Sequence, residues 1–540
     1  MARKLGLGAG GDAGQDGGVR LPVPDAPAPM PLRFAELQAL LKPEWTREHD
    51  DQGPDLDLLI VPSLSMDQAQ MALVTGAHHY EERQLFALTR LRHPGVRAVY
   101  VTSKLLPELV VDAVLELLPG VPTSHARRRL QLFDADDASS RPLTEKLLER
   151  PALLQRIQER LRPGRSMILC YVVTELEKQL SERLQVPLLG TDPALGWWGS
   201  KAGSRALFAR CGVPHPAGSE LVHDLDALAE ACADLWEAQP DLRRAVVKLN
   251  EGFSGEGNAP LELDCLELAG LSGRERRLTL RQALEQLPMP SPQWRPLLQH
   301  QGALVEAWLE GGEQLSSPSV QGMIHPGGSV EMLSSHEQIL GGASGQTYLG
   351  CRFPAAADYR LALMAHGRAV GEALAAEGAL ERYAVDFIAR RFEGRWDLQA
   401  IEVNLRQGGT THPTMALRAI TTGRLDPATG LFHSPNGQEL HYVATDNLCD
   451  PRLRGLLPVD LIDIVAEADL HYDPARLRGS VFHLLGCLSE FGKLGMTCIG
   501  RSGEEAEQVY RATETELLQG GASRRGDGGG PIASAGSHQD

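Results

Sequence analysis

The sequence predicts two architectures in series, an open α/β domain and then an α+β body with a lid, and three observations predict it. Short, wholly apolar runs alternate with helical stretches in the first third of the chain. Hairpin punctuation such as PGG replaces that alternation in the middle. Polar side chains then recur at every second position of one late strand, 402, 404 and 406, so that all three share a face.

The chain has 540 residues, room for roughly two to four structural units. Its 53 Lys and Arg stand against 70 Asp and Glu, a formal charge of −17. That balance argues against non-specific binding to nucleic acid or to an acidic membrane, both of which need a basic surface. Eight cysteines with no CxxC pair argue against a zinc site or a disulfide framework and predict reduced thiols. No stretch approaches the apolar run of about 18 residues that a membrane span requires, and the opening MARKLGLGAGGDAGQDGG lacks a signal-peptide core. A cytoplasmic location is expected. Residues 1–30 and 519–540 are poor in large apolar side chains and are expected to be disordered.

The elements follow in order. DLDLLIVPSL (55–64), VRAVYVTS (96–103) and SMILCYVVT (166–174) suit buried parallel strands. Between them ERQLFALTRLRH, ELVVDAVLELL and TEKLLERPALLQRIQERL suit helices, which makes 31–198 an open α/β domain. A Gly-rich, Pro-containing stretch at 189–200 is the expected hinge. Residues 199–310 form the lid, with strands RRAVVKLN and GALVEAWLE; 311–425 form the body, with a hairpin in SVQGMIHPGGSVEMLSSHEQIL, the helix DYRLALMAHGRAVGEALAA, and the strand pair YAVDFIARR and DLQAIEVN. A small C-terminal extension, 426–518, carries the apolar runs VDLIDIVA and GSVFHLLGCL and a last helix, EEAEQVYRATETELL.

Four short motifs converge on one chemistry. Lys201 opens a helix and Lys248 ends a strand, so two ammonium groups flank a Gly-rich loop and can neutralise phosphates from two sides. That loop, EGFSGEGN (251–258), offers Gly252, Gly255 and Gly257 for close backbone approach and the Ser254 hydroxyl as a further donor; alone it would be an ordinary flexible turn. In VEAWLEGGEQ (305–314), a strand carrying Glu306 runs through Ala307, Trp308 and Leu309 to Glu313. The middle residues can offer backbone groups to adenine between apolar walls, with Glu313 on the ribose hydroxyls. The plain reading of that segment is an edge strand with an acidic turn. The fourth motif sets Asp386 beside Glu402, Asn404 and Arg406, a polar row that burial would penalise unless it served a ligand. Their oxygens suit Mg²⁺ held against phosphates, and Arg406 suits a transferring phosphoryl group or an acyl phosphate oxyanion. A salt bridge between Glu402 and Arg406 is the structural alternative.

The ordered set resembles the ATP-grasp superfamily over roughly 190–420, with the preceding segment similar to the pre-ATP-grasp domain that accompanies it. The resemblance implies phosphate binding by Lys201, Lys248 and Gly255, an adenine and ribose pair in Glu306 and Glu313, two Mg²⁺ on Asp386, Glu402 and Asn404, and a catalytic arginine in Arg406. SKAGSRALFARCGVPHPAG, VVKLNEGFSGEGN, SSHEQILGGASGQTYLGCRFP and EVNLRQGGTTHP further resemble the peptide-ligase subgroup typified by the pheganomycin-biosynthesis ligase. It implies ATP-dependent joining of a carboxylate to an amine, as an amide or peptide bond, in peptide or secondary-metabolite biosynthesis. An ATP-grasp phosphotransferase and a non-catalytic ATP-binding scaffold share the same nucleotide residues and are the alternatives. For the substrate pocket the candidates are His336 to orient or deprotonate the amine, Gln338 beside it, Arg352 to clamp a carboxylate, and Thr410, Thr411 and His412 just past the metal strand; a local structural hydrogen-bonding role is the equal alternative for His336 and Arg352, and a satisfied loop histidine for His412.

Overall fold

The chain begins its first sheet with LDLLIV, six residues buried on both faces, as a strand flanked by other strands and covered by helices must be. This strand, β1 (Leu56–Val61), pairs in parallel with β2 (Val96–Thr102) and β4 (Ser166–Cys170). With β3 (Leu130–Asp134) and β5 (Leu188–Leu189) the order is β3-β2-β1-β4-β5, that of a doubly wound α/β unit. The computed structural model describes residues 31–46, 53–66, 71, 74–251, 257–287, 294–341 and 347–524. Most of the segments expected to be disordered, 1–30 and 525–540, lie outside these residues.

A three-stranded lid follows: β6 (Arg244–Leu249) lies between β7 (Asn258–Glu262) and β8 (Ala303–Ala307), all antiparallel. The body is a large antiparallel sheet. Along it run β14 (Arg395–Asn404), β13 (Glu381–Phe392), β10 (Pro318–Ile324), β11 (Val330–Gly341), β12 (Thr347–Phe353), β17 (Glu439–Cys449), β16 (Leu431–His433) and β15 (Arg424–Asp426), in that order. β9 (Gln314–Ser316) adds to β13, and β18 (Gly479–His483) and β19 (Lys493–Gly500) add beyond β17. The expected α/β and α+β architecture is present.

Several local expectations change. The segment 82–93 is not α-helical: Ala77–Arg92 is a 3₁₀ run. Its three residues per turn eclipse positions i and i+3, which puts Tyr80 and Arg83 on one ridge facing a central cavity. The helix expected through TEKLLERPALLQRIQERL is two, Leu143–Leu148 and Pro151–Gln158, because Pro151 forces Arg150 out of helical geometry (φ −120°, ψ 72°). The strand LQLFD, β3, had no signal of its own. Residues beyond 425 do not stand apart as an extension, since β17 pairs with β12 and continues the body sheet. The last helix, Gly503–Arg524, passes the expected boundary at 518: Gly521 is buried against the Arg452 carbonyl, so glycines that read as disorder serve a close helix contact. No helix among the described residues is long and apolar enough to cross a membrane.

One apolar core joins the face of the first sheet (Leu56, Leu58, Ile60) to the C-terminal region (Leu461, Ile464, Met496). A second lies under the body sheet and a third fills the lid. The lid is tethered by the Lys201–Cys211 helix, capped by the Ser200 hydroxyl, which accepts from the Gly203 amide at 3.1 Å, and ended by Gly212 at φ 64°. A methyl group on Gly203 would collide with the Trp197 carbonyl oxygen, a backbone atom. Gly203→Ala should therefore lower stability by at least about 1–3 kcal/mol, read as a fall in the urea midpoint.

Candidate active site

The three regions enclose a cavity of about 1480 Å³. Its floor is the β13–β14 pair. Asp386 stands directly opposite Glu402, and two carboxylates facing each other across a ladder repel. The register shifts immediately after them, where Phe387 pairs with Ala400 and Ile401 is the extra residue, a bulge of the kind that re-aims side chains beside a site. Asn404 Nδ2 donates to Asp386 Oδ2 (3.0 Å), and Gln338 Nε2 donates to Oδ1 (2.7 Å). Arg406 donates to Asn404 Oδ1 (3.0 Å) and to the Gln407 carbonyl (3.0 Å). Lys201 Nζ lies 3.5 Å from Glu402. Loss of hydration first, then the charge of Glu402, pushes the Asp386 carboxyl up to about 7. Beneath this row Val403 is fully buried, and its amide donates to Ser204 Oγ at 3.0 Å.

Among the described residues no three His, Cys, Asp or Glu side chains gather as a metal cage. The donor set is two carboxylates and one amide, all oxygen, with two like charges facing each other at its centre that Lys201, Gln338 and Asn404 offset in part. Such a set fits Mg²⁺ that completes its coordination with substrate phosphates and water.

The lid side is built on a buried ion triad. Glu306, 2% exposed, sits between Lys248, in direct contact, and Arg205 at 2.9 Å. Burial alone would raise the Glu306 carboxyl, but the two cations outweigh it and hold it below its usual range. Ala307, Trp308 and Leu309 continue along the cavity wall. Two of their amides are committed within the fold, Ala307 to the Ala217 carbonyl (2.8 Å) and Trp308 to that of Arg244 (3.1 Å). Those two N–H groups are committed within the fold, which narrows the expectation for adenine to the other backbone groups of 307–309. Glu313 is exposed on the turn before β9, outside the cavity lining, with its amide on the Arg391 carbonyl (2.8 Å). Of the glycine loop, Gly252, Ser254 and Gly255 lie outside the described residues, and Gly257 turns at φ 83°.

The substrate candidates separate. His336 is fully buried under the Thr411–Thr421 helix, its Nε2 against the Tyr442 hydroxyl (2.5 Å), and burial pulls it down to about 3. His412 is also buried: its Nδ1 bonds the Arg83 carbonyl (3.0 Å), its ring lies 3.8 Å from that of His483, and burial lowers it to about 4. Neither histidine lines the cavity: the Thr411–Thr421 helix covers His336 through Thr414, and His412, on that helix, packs against Arg83, Phe86 and His483. Thr411 is likewise turned inward to Gln321 (3.0 Å) and the Gly408 amide (2.9 Å). Thr410 lines the cavity and accepts from Gln321. Arg352 reaches the cavity edge half-exposed, engaged with Glu507 at 3.1 Å. Gln338 belongs with Asp386. Unforeseen are Tyr80, Arg83, Tyr171, Tyr348, Asp446 and Lys493, which also line the cavity.

A lid of three strands closing over paired carboxylates on a body sheet defines a nucleotide cleft of the ATP-grasp kind. Residues 195–289 match the family model described as IQCH-like, ATP-grasp, and residues 460–513 match the PGM1 C-terminal domain. The chain is 30% identical over 446 residues to the L-propargylglycine–L-glutamate ligase of Streptantibioticus cattleyicolor, covering 81% of this chain and 89% of that one. It is 24% identical to IQ motif-containing protein H of Danio rerio over 79% of its own length, and spans 45% of that longer protein. In fold it is similar to the biotin carboxylase–βγ-ATP complex from Campylobacter jejuni, with a TM-score of 0.52 at 13% identity, covering 86% of this chain and 94% of that one. The chain belongs to the ATP-grasp ligases, in the peptide-ligase subgroup typified by the pheganomycin-biosynthesis ligase.

Proposed function

We propose that the protein is an ADP-forming carboxylate–amine ligase whose reaction centre is the Asp386–Glu402–Asn404–Arg406 row. The observation that carries this reading is the like-charged pair Asp386 and Glu402, set opposite each other on a cavity floor and ringed by donors from Gln338, Asn404 and Lys201. A fold keeps such a repulsion where a cation and phosphates relieve it. Mg²⁺ bound there, two ions in the full complex, supplies charge neutralisation across the phosphates.

The chain's own residues do the rest. Lys248, fixed by Glu306, presents its ammonium to the phosphates from the lid, and Lys201 does so from the body. Arg406, held by Asn404, faces the oxygens on which charge develops. A substrate carboxylate oxygen attacks the γ-phosphorus, and the bond to the ADP oxygen breaks. The amine then attacks the acyl carbon, the C–O bond to phosphate breaks, and phosphate leaves. Closing the lid keeps water from the acyl phosphate. With His336 and His412 sealed from the cavity, neither serves as the base for the amine.

The substrates are assigned as an amino acid or peptide on each side of the new bond, an assignment supported by the ligase relative that joins L-propargylglycine and L-glutamate. A screen of amino acids and peptides for ADP release, with the products weighed by mass spectrometry, tests the reading. Amide product together with ADP is expected. A phosphorylated acid or alcohol that persists when amines are present would make the protein a kinase instead.

A further inference from the structure

The cavity lining also holds charge outside the Asp386–Arg406 row and the Lys248–Glu306–Arg205 triad. Arg83 is 6% exposed, with its guanidinium 5.3 Å from the Tyr80 ring and 5.6 Å from that of Tyr171. One terminal nitrogen donates to the Gly408 carbonyl (3.3 Å) and lies 3.5 Å from Asp446. Its Nε is buried with no hydrogen-bond partner among the described residues, and leaving a charged group's donor unmade in an interior is costly. Lys493, also 6% exposed, donates to the Tyr80 hydroxyl (2.8 Å) and stands 5.1 Å from the same ring. Two buried cations thus share one phenol, and Asp446 is the carboxylate paired with Arg83. Among the described residues named here the two cations exceed that carboxylate by one positive charge.

We propose that Arg83 and Lys493 bind the carboxylate of an amino-acid or peptide substrate that takes no part in bond formation. Resting on the ligase reading above, this names what this part of the cavity recognises. A single excess charge matches a monoanion, and a planar guanidinium with an orphaned donor matches a carboxylate in particular. Position supports it as well. Arg83 is bonded to Gly408, two residues beyond Arg406, so a carboxylate held here sets the rest of the substrate alongside the reacting row. Both partners of Arg83 and Tyr80 here, Asp446 and Lys493, come from the C-terminal strands β17 and β19. That region therefore completes the substrate site. Arg352, half-exposed and already paired with Glu507, does not take this role.

The test is calorimetry on the full chain with Mg²⁺ and a non-hydrolysable ATP analogue, titrating the twenty free L-amino acids, dipeptides built from them, and the C-terminal amides of both. At least one free acid is expected to bind, and its amide to bind about 10- to 100-fold more weakly, as the loss of charge-assisted bonds implies. Arg83→Gln and Lys493→Gln should each show a similar loss for the acid while affinity for the analogue holds. If Arg83→Gln does not fold by circular dichroism, Lys493→Gln decides alone. Equal binding of acid and amide, unchanged affinity in the variants, or no binding by any acid overturns the proposal. Product formation plays no part in this readout, so a wild type that binds an acid yet makes no amide defeats the ligase reading and leaves this one standing.

Discussion

Glu402→Gln and Asn404→Ala should each cut ADP formation by about 10³-fold or more, with the fold retained. The size follows from removing a preorganised charge or its support at the point where phosphoryl charge is neutralised. Glu402 is half of the facing carboxylate pair, and Asn404 is the link between Asp386 and Arg406 (3.0 Å on each side). Neither side chain holds the sheet together. Val403 beneath them is fully buried and Leu405 packs on the body core, so strand β14 stays anchored from its other face. A coupled ADP assay beside circular dichroism checks both halves of the expectation. Normal turnover in either variant would remove the metal assignment.

Glu306→Ala should lower stability by about 3–5 kcal/mol, because it leaves Lys248 and Arg205 buried without their shared carboxylate. The effect has a pH signature. The Glu306 carboxyl is held below its ordinary 4.5 in the folded protein, so its contribution is complete above about pH 4.5 and fades as pH falls through the lower folded value. Urea unfolding of the two proteins should differ most at neutral pH and converge in acid. The same substitution should weaken ATP binding, since it releases Lys248 from the position that aims it into the cavity. A variant as stable as the parent at pH 7 would show that the triad does not stabilise the lid.

How much of this was legible in the sequence follows from what each signal depends on. The buried strands of the first sheet announce themselves because a strand covered on both faces is a continuous apolar run, as in LDLLIV. The row 402, 404 and 406 is legible because strand periodicity alone puts alternate residues on one face. Strand β3 is not: Leu130, Gln131 and Leu132 alternate for only three residues before Phe133 breaks the period, and only Leu130 of the five is buried. The histidines were not legible because a polar residue near a site carries no sign of what will cover it: the Thr411–Thr421 helix lies over His336, and His412 on that helix is buried against Arg83, Phe86 and His483. The cationic part of the cavity was out of reach for a different reason. Lys493 and Tyr80 meet across 413 positions of sequence, and Tyr80 and Arg83, neighbours at i and i+3, are brought into line by a segment that winds with three residues per turn. Local pattern carries neither fact.

The central claim is that the carboxylate is activated as an acyl phosphate before the amine attacks. The most direct measurement uses the acid found in the amino-acid screen, labelled with ¹⁸O in the reacting carboxylate, and weighs the inorganic phosphate released in the presence of the amine. The account predicts one ¹⁸O atom in each phosphate, because the oxygen that attacks phosphorus leaves carbon when the amide forms. Amide formation with unlabelled phosphate, or with the label carried on AMP, would contradict it.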